Sequence, residues 1–138
     1  MIAKPLILNQ RRCDIYFRST GRVDINATIV KAIGLQDGDV INLTMVNGEL
    51  YLYATGKNPF NPNMRFRNAV HPSKKRSRHF RCQSKILTDY VNNMSGTRES
   101  WFFVGKAKDL SVYGINSIGV PIIYKNNQYN NGKKDNCG

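Results

Sequence analysis

Two stretches of patterned apolar residues flank a polar middle that contains several prolines. In the first stretch Ile15 and Phe17 lead through Ser19-Thr20-Gly21-Arg22, a bend, into Val23 and Ile25. Their alternation about Asp24 predicts a strand. Asn26 then caps a short helix over 27–33, in which Ile29 and Ile33 share one face at i, i+4. Gly34 suits the left-handed residue that ends a helix, and Leu35 folds back over the last turn. Asp37-Gly38 is a turn pair, and Val40, Ile41, Leu43 and Met45 form a strand. Asn47-Gly48 is a strong hairpin signal, and Leu50 to Tyr53 return as the partner strand.

The second stretch repeats this order more weakly. Ser84 caps a helix over 85–91 with Ile86, Leu87, Tyr90 and Val91 on one side, and Asn92-Asn93 stops it. Ser95-Gly96 makes a turn before a strand over 101–104. Residues 105–109 form a hairpin-like loop, with its partner at 110–113. A last strand over 120–124 carries Pro121, which suits an edge. The pattern predicts a mainly β fold with two short helices, in four parts. These are a βαββ unit over 1–56, a basic linker or loop over 57–80, a second degenerate βαββ-like unit over 81–125 and a disordered Asn- and Lys-rich tail over 126–138. Two unrelated βαββ-like runs are the plain alternative to a duplication.

Charge changes this picture. The 138 residues carry 21 Lys and Arg against 9 Asp and Glu, a net charge of +12. Residues 57–85 hold nine of the cations and no acid, so three quarters of the excess lies in one segment. A surplus of this size repels itself in the folded state and points to a polyanion: nucleic acid, an anionic surface or an acidic partner. Two histidines and nine acids leave little material for acid–base or metal chemistry, which disfavours an enzyme. No apolar run reaches the length of a membrane span, and the run at 1–8 is too short for a signal peptide. Cys13, Cys82 and Cys137 are odd in number and form no CxxC pair. That predicts a reducing compartment without a disulfide framework, cytoplasmic in a cell or in a virus-infected cell.

The run Gly21-Arg22-Val23-Asp24-Ile25-Asn26, followed by Ile29, Ile33-Gly34-Leu35 and Gly38-Asp39-Val40-Ile41, resembles the AbrB-type swapped-hairpin transcription factors, including the MraZ and SpoVT relatives. The resemblance covers roughly residues 11–55, and Asn47-Gly48 with 50–53 completes the family's terminal hairpin. It implies that two such units interlock into one barrel, from two chains or from tandem copies, with a degenerate second copy at 80–125 fitting the tandem version. The departures are Asn26 in place of the family's Pro and Val30 in place of its helical Arg. The resemblance therefore supports the fold better than a DNA surface.

Two sets of cations are candidates for nucleic acid. Arg11, Arg12, Arg18, Arg22 and Lys31 lie in the region that the resemblance places against DNA. Their plain reading is a solvated face with Asp14 and Asp24 as partners. Arg65, Arg67, Lys74, Lys75, Arg76, Arg78, Arg81 and Lys85 form the middle run, interleaved with Phe66, His79 and Phe80, which offer rings to unpaired bases. Its plain reading is a solvated linker. His79-x-x-Cys82 is a lone ligand-like interval, whereas structural zinc sites use two pairs, so no metal and no other cofactor is expected. Tyr16, Tyr51, Tyr53, Tyr90, Trp101, Phe102 and Phe103 read as barrel core. The expectation is a non-enzymatic DNA-binding protein, a regulator of transcription. The alternative is a structural component of a virion or mobile element that meets nucleic acid or an acidic partner without sequence preference. DNA is preferred to RNA as partner, no membrane is expected, and self-association or an acidic protein partner stays open.

Overall fold

The computed structural model describes residues 13–56 and 68–123. In chain order the elements are β1 (Ile15–Phe17), β2 (Arg22–Ile25), α1 (Ala27–Ile33), β3 (Val40–Val46), β4 (Glu49–Thr55), β5 (His71–Pro72), β6 (Phe80–Gln83), α2 (Lys85–Ser95), β7 (Ser100–Val104), β8 (Lys108–Asp109) and β9 (Ile118–Ile123). A single 3-10 turn, Ser111–Tyr113, lies between β8 and β9.

Local chemistry sets the first unit as expected. Asn26 accepts from the Thr28 amide at 3.0 Å, and Gly34 closes α1 at φ +65°. Leu35 folds back through its amide to the Val30 carbonyl at 2.9 Å and is buried. Asn47 and Gly48 both take positive φ, at +50° and +80°. Such a pair matches the right-handed twist of the flanking strands and sets the seven-pair register of β3 and β4.

All strand pairs are antiparallel and build one sheet, in the order β3-β4-β9-β7-β1-β2-β6-β5, with β8 beside β9. The sheet curls until its ends meet. An isolated bridge joins Val40 at the start of β3 to Ala69 just before β5. Flanking it, the Val70 amide donates to the Asp39 carbonyl at 2.8 Å and the Ile41 amide to the Asn68 carbonyl at 3.1 Å. Inside lie Ile15, Phe17, Val23, Ile25, Ile29, Ile41, Leu50, Leu52, Val70, Phe102 and Val120, each at most 1% exposed. Each such side chain contributes about 1.5–3 kcal/mol on burial.

The circuit has a regularity of its own. Exchange β1, β2, α1, β3 and β4 for β5, β6, α2, β7 and β9. Then β1·β2 becomes β5·β6, β3·β4 becomes β7·β9, and β1·β7 becomes the approach of Val40 to Ala69. The pairs β2·β6 and β4·β9 map onto themselves. The two halves of the chain are interleaved two strands at a time.

Several expectations need correction. The segment at 57–80 is no tether where it is described: Val70 is fully buried and β5 pairs with β6. The second helix does not stop at Asn92-Asn93 but runs to Ser95, with Gly96 as its left-handed cap. Asn92 is tolerated inside it because its side chain is spent elsewhere. Its amide donates to the carbonyls of Phe17 and Arg98, and its oxygen accepts from Ser100 Oγ. Residues 110–113 are not the partner of β7. Leu110 is buried, 111–113 form the 3-10 turn, and β9 takes the place beside β7.

Pro121 sits within a central strand, not at an edge. Its carbonyl accepts from the Gly105 amide at 2.9 Å, so its nitrogen faces the gap between the ends of β7 and β8, where no ladder bond is lost. Tyr90, expected in the core, is 47% exposed on α2. Cys82 is free and buried. Among the described residues no helix is long and apolar enough to cross a membrane.

Candidate nucleic-acid interface

The strands β1, β2, β6 and β5 alternate strictly. Ile15, Phe17, Val23, Ile25, Phe80 and Cys82 point inward, so Tyr16, Arg22, Asp24, Arg81 and Gln83 decorate the outer face. The register places Tyr16 beside Asp24, Asp24 beside Arg81 and Arg81 beside His71. A cleft of about 320 Å³ opens on this face, lined by Tyr16, Arg18, Arg22, Asp24, His79 and Arg81 among others.

Asp24 organises the cleft. Arg18 Nε donates to it at 2.6 Å and Arg22 Nε approaches it at 3.1 Å. The hydrogen bond to Asp24 raises the Arg18 pKa further, and the guanidinium lies 4.3 Å from the centre of the Tyr16 ring. Glu99 fixes the turn between β1 and β2. It accepts from the Ser19 amide at 2.9 Å, from Ser19 Oγ at 3.0 Å and from Tyr16 OH at 2.9 Å. These bonds, the Ser19 amide first, hold its carboxyl below the usual range. Burial, then the bond to Glu99, raises the Tyr16 phenol.

The loop between β5 and β6, residues 73–79, is ordered by its own polar groups. The Ser73 amide donates to the His79 carbonyl at 2.8 Å, and the Ser77 amide to the Lys74 carbonyl at 3.0 Å. Ser77 Oγ accepts from the His79 amide at 3.0 Å and from Ser73 Oγ at 3.1 Å. Arg76 occupies the left-handed region at φ +62°, unusual for a residue with a side chain. Lys74, Lys75, Arg76 and Arg78 are all exposed on this loop. Among the described residues none of the four makes an ion pair. Ordering in advance lowers the entropy cost of gripping a ligand.

The remaining candidates divide. Arg81 is exposed on the same outer face and lines the cleft. Lys85 is neutralised by Asp89 at 2.7 Å, so the basic run is not wholly without an anion. Lys31 sits in the last turn of α1, where its charge suits the helix dipole, and lies apart from the cleft lining. Arg11, Arg12, Arg65, Arg67 and Phe66 lie outside the described residues. Phe80 offers no ring to a base: it is 8% exposed and belongs to the core. The His79 ring is engaged, its Nδ1 accepting from the Ala27 amide at 3.1 Å.

Cys82 points inward, and burial pushes its thiol up to about 12, so His79 and Cys82 share no ligand direction. Among the described residues no three His, Cys, Asp or Glu side chains come together. Asp14 is fully buried, accepting from Asn26 Nδ2 at 3.1 Å and from the Val104 amide at 2.9 Å.

Sequence reasoning named Asp24 as a partner of the arginines, which Arg18 and Arg22 bear out, but missed Glu99 as an organiser of the site. The outward position of Asp24 was readable from the alternation of Val23 and Ile25. Glu99 gave no local signal, because Ser19 and Tyr16 lie about eighty positions away. A scan against protein-family models found no match, and searches of the curated proteins and of the solved structures found none either.

Proposed function

We propose that this chain is a non-enzymatic DNA-binding protein, a regulator of transcription, built as tandem swapped-hairpin units within one chain. The observation that carries the reading is the ordered 73–79 loop, whose Lys74, Lys75, Arg76 and Arg78 are exposed beside Arg81 and the cleft, with no ion pair among the described residues. Phosphates are the natural counter-charge for such a loop, and they supply affinity without reading sequence. The AbrB-type pattern over 11–55 and the exchange regularity of the strand circuit support the tandem reading. A second reading has its own support. Arg18 and Arg22 converge on Asp24, which leaves fewer guanidinium edges for bases and favours a structural protein with no sequence preference.

The test is titration of duplex DNA at several salt concentrations. Changing Lys74, Lys75, Arg76 and Arg78 together to Ala is expected to lower the logarithmic salt slope by roughly 3.6, about 0.9 for each lost phosphate contact. Stability should change little, because exposed like charges repel one another. An unchanged slope would remove the loop from the interface. Binding one duplex far more tightly than random DNA supports a regulator, and equal binding to all duplexes supports the structural reading.

A further inference from the structure

The exchange that maps the strand circuit onto itself also pairs two loops. The β1–β2 loop, residues 18–21, is the counterpart of the β5–β6 loop, residues 73–79. Because β2 and β6 run antiparallel, with Arg22 beside Gln83 and Ile25 beside Phe80, the two loops stand at opposite ends of the β2·β6 ladder. That separation is roughly 10 Å along the strands, within the footprint of one duplex.

The two ends are chemically unlike. At the β5–β6 end stand four exposed cations that make no ion pair among the described residues. At the β1–β2 end Arg18 and Arg22 are bound to Asp24 and Lys85 to Asp89, which leaves Arg98 beside Ser19 as the one exposed cation without an ion pair among the described residues, and the Glu99 carboxylate holds the Ser19 amide and hydroxyl. The Gln83 side chain also donates to the Thr20 carbonyl at 2.8 Å, and the Ser84 amide to the Gly21 carbonyl at 2.8 Å. Gly21 itself, at φ +97°, holds a backbone conformation that strains any residue with a side chain, and a Cβ there would displace the Gln83 amide that bonds Thr20. This end is tied down against β6, α2 and the segment before β7.

We infer that duplex DNA is met by one end of this four-stranded face only, so a single chain contacts a site that lacks two-fold symmetry. The inference rests on the DNA-binding reading and adds the geometry of the target. Two identical units present the same loop at both ends and match a palindrome. Here the interleaved strands keep the paired arrangement while the contact surface has only one basic end.

Two substitutions that each lower the net charge by one separate the ends: Lys75→Gln on the basic loop and Thr20→Glu on its counterpart. Both positions are exposed, and circular dichroism checks that each variant keeps its fold. The probe is a short labelled duplex of random sequence, followed by fluorescence anisotropy across a salt series. Lys75→Gln is expected to lower the salt slope by about 0.9 and weaken binding several-fold, with Thr20→Glu close to the unaltered protein. Equal losses in the two variants, a loss confined to Thr20→Glu, or no loss in either would each overturn the one-ended contact and leave DNA binding standing. Failure of the unaltered protein to bind any duplex would overturn the DNA-binding reading itself.

Discussion

Glu99 shows how a single side chain ties the two halves together. It lies just before β7, yet its three hydrogen bonds reach Ser19 and Tyr16 in the first hairpin. Its folded-state pKa is lowered, chiefly by the Ser19 amide. The resulting stability is therefore present in full above the ordinary carboxylate range. It is lost as pH falls through the folded-state value. Glu99→Gln is expected to cost about 1 kcal/mol at neutral pH, since part of this side chain stays in contact with water. The deficit should shrink as pH falls through the lowered folded-state value, below which the native carboxyl is also protonated. Urea denaturation of both proteins across that range checks it, and a deficit independent of pH would assign the loss to packing.

Residues of this kind were invisible in the sequence for a physical reason. Asn26, Gly34 and Ser84 act on backbone within a few positions, so their roles were readable. Glu99 and Asp14 act across eighty or ninety positions. Phe80 is a different case. Its inward position was written in the alternation with Arg81, Cys82 and Gln83, but the density of charge there drew attention away from the period of two.

At the scale of elements, α2 carries the clearest lesson. Two consecutive asparagines read as a stop, because Asn competes with the helical backbone through its side chain. In the fold Asn92 is 5% exposed and its side chain joins the ends of β1, α2 and β7 through Phe17, Arg98 and Ser100. The helix then continues for three residues and exposes Asn93 to water. Asn92→Ala is expected to cost about 2–3 kcal/mol, because it strands the buried Ser100 hydroxyl and the Phe17 carbonyl together. Asn93→Ala should change stability by under about 0.5 kcal/mol. Chemical denaturation of the two variants gives the comparison. Similar effects at both positions would mean that helix propensity, not the buried network, decides. The hairpin of β3 and β4 behaves in the opposite way: Asn47-Gly48 fixes it from within, and its register needed no information from the rest of the chain.

For the whole molecule, the order of strands decides how it unfolds. The pairings β1·β7, β2·β6 and β4·β9 each join a strand before residue 57 to one after residue 67. A division of the chain into two consecutive domains with a basic linker, natural from composition, fails against these pairings, because neither half keeps a complete sheet without the other. Sequence patterns name strands but not their partners, since one strand's alternation is satisfied by any neighbour that covers its apolar face. The structure therefore predicts one cooperative transition. Trp101 is the single tryptophan, is 2% exposed, and sits in β7 between β1 and β9, where it reports on both halves at once. Its fluorescence and the far-ultraviolet circular dichroism are expected to fall together along a urea series, with one midpoint and one slope. Shortening the 73–79 loop should leave the two curves superimposed. If the dichroism fell in two steps and Trp101 followed only the second, the first unit would be folding by itself. The pairings of β1 with β7 and of β4 with β9 would then contribute little to the native state.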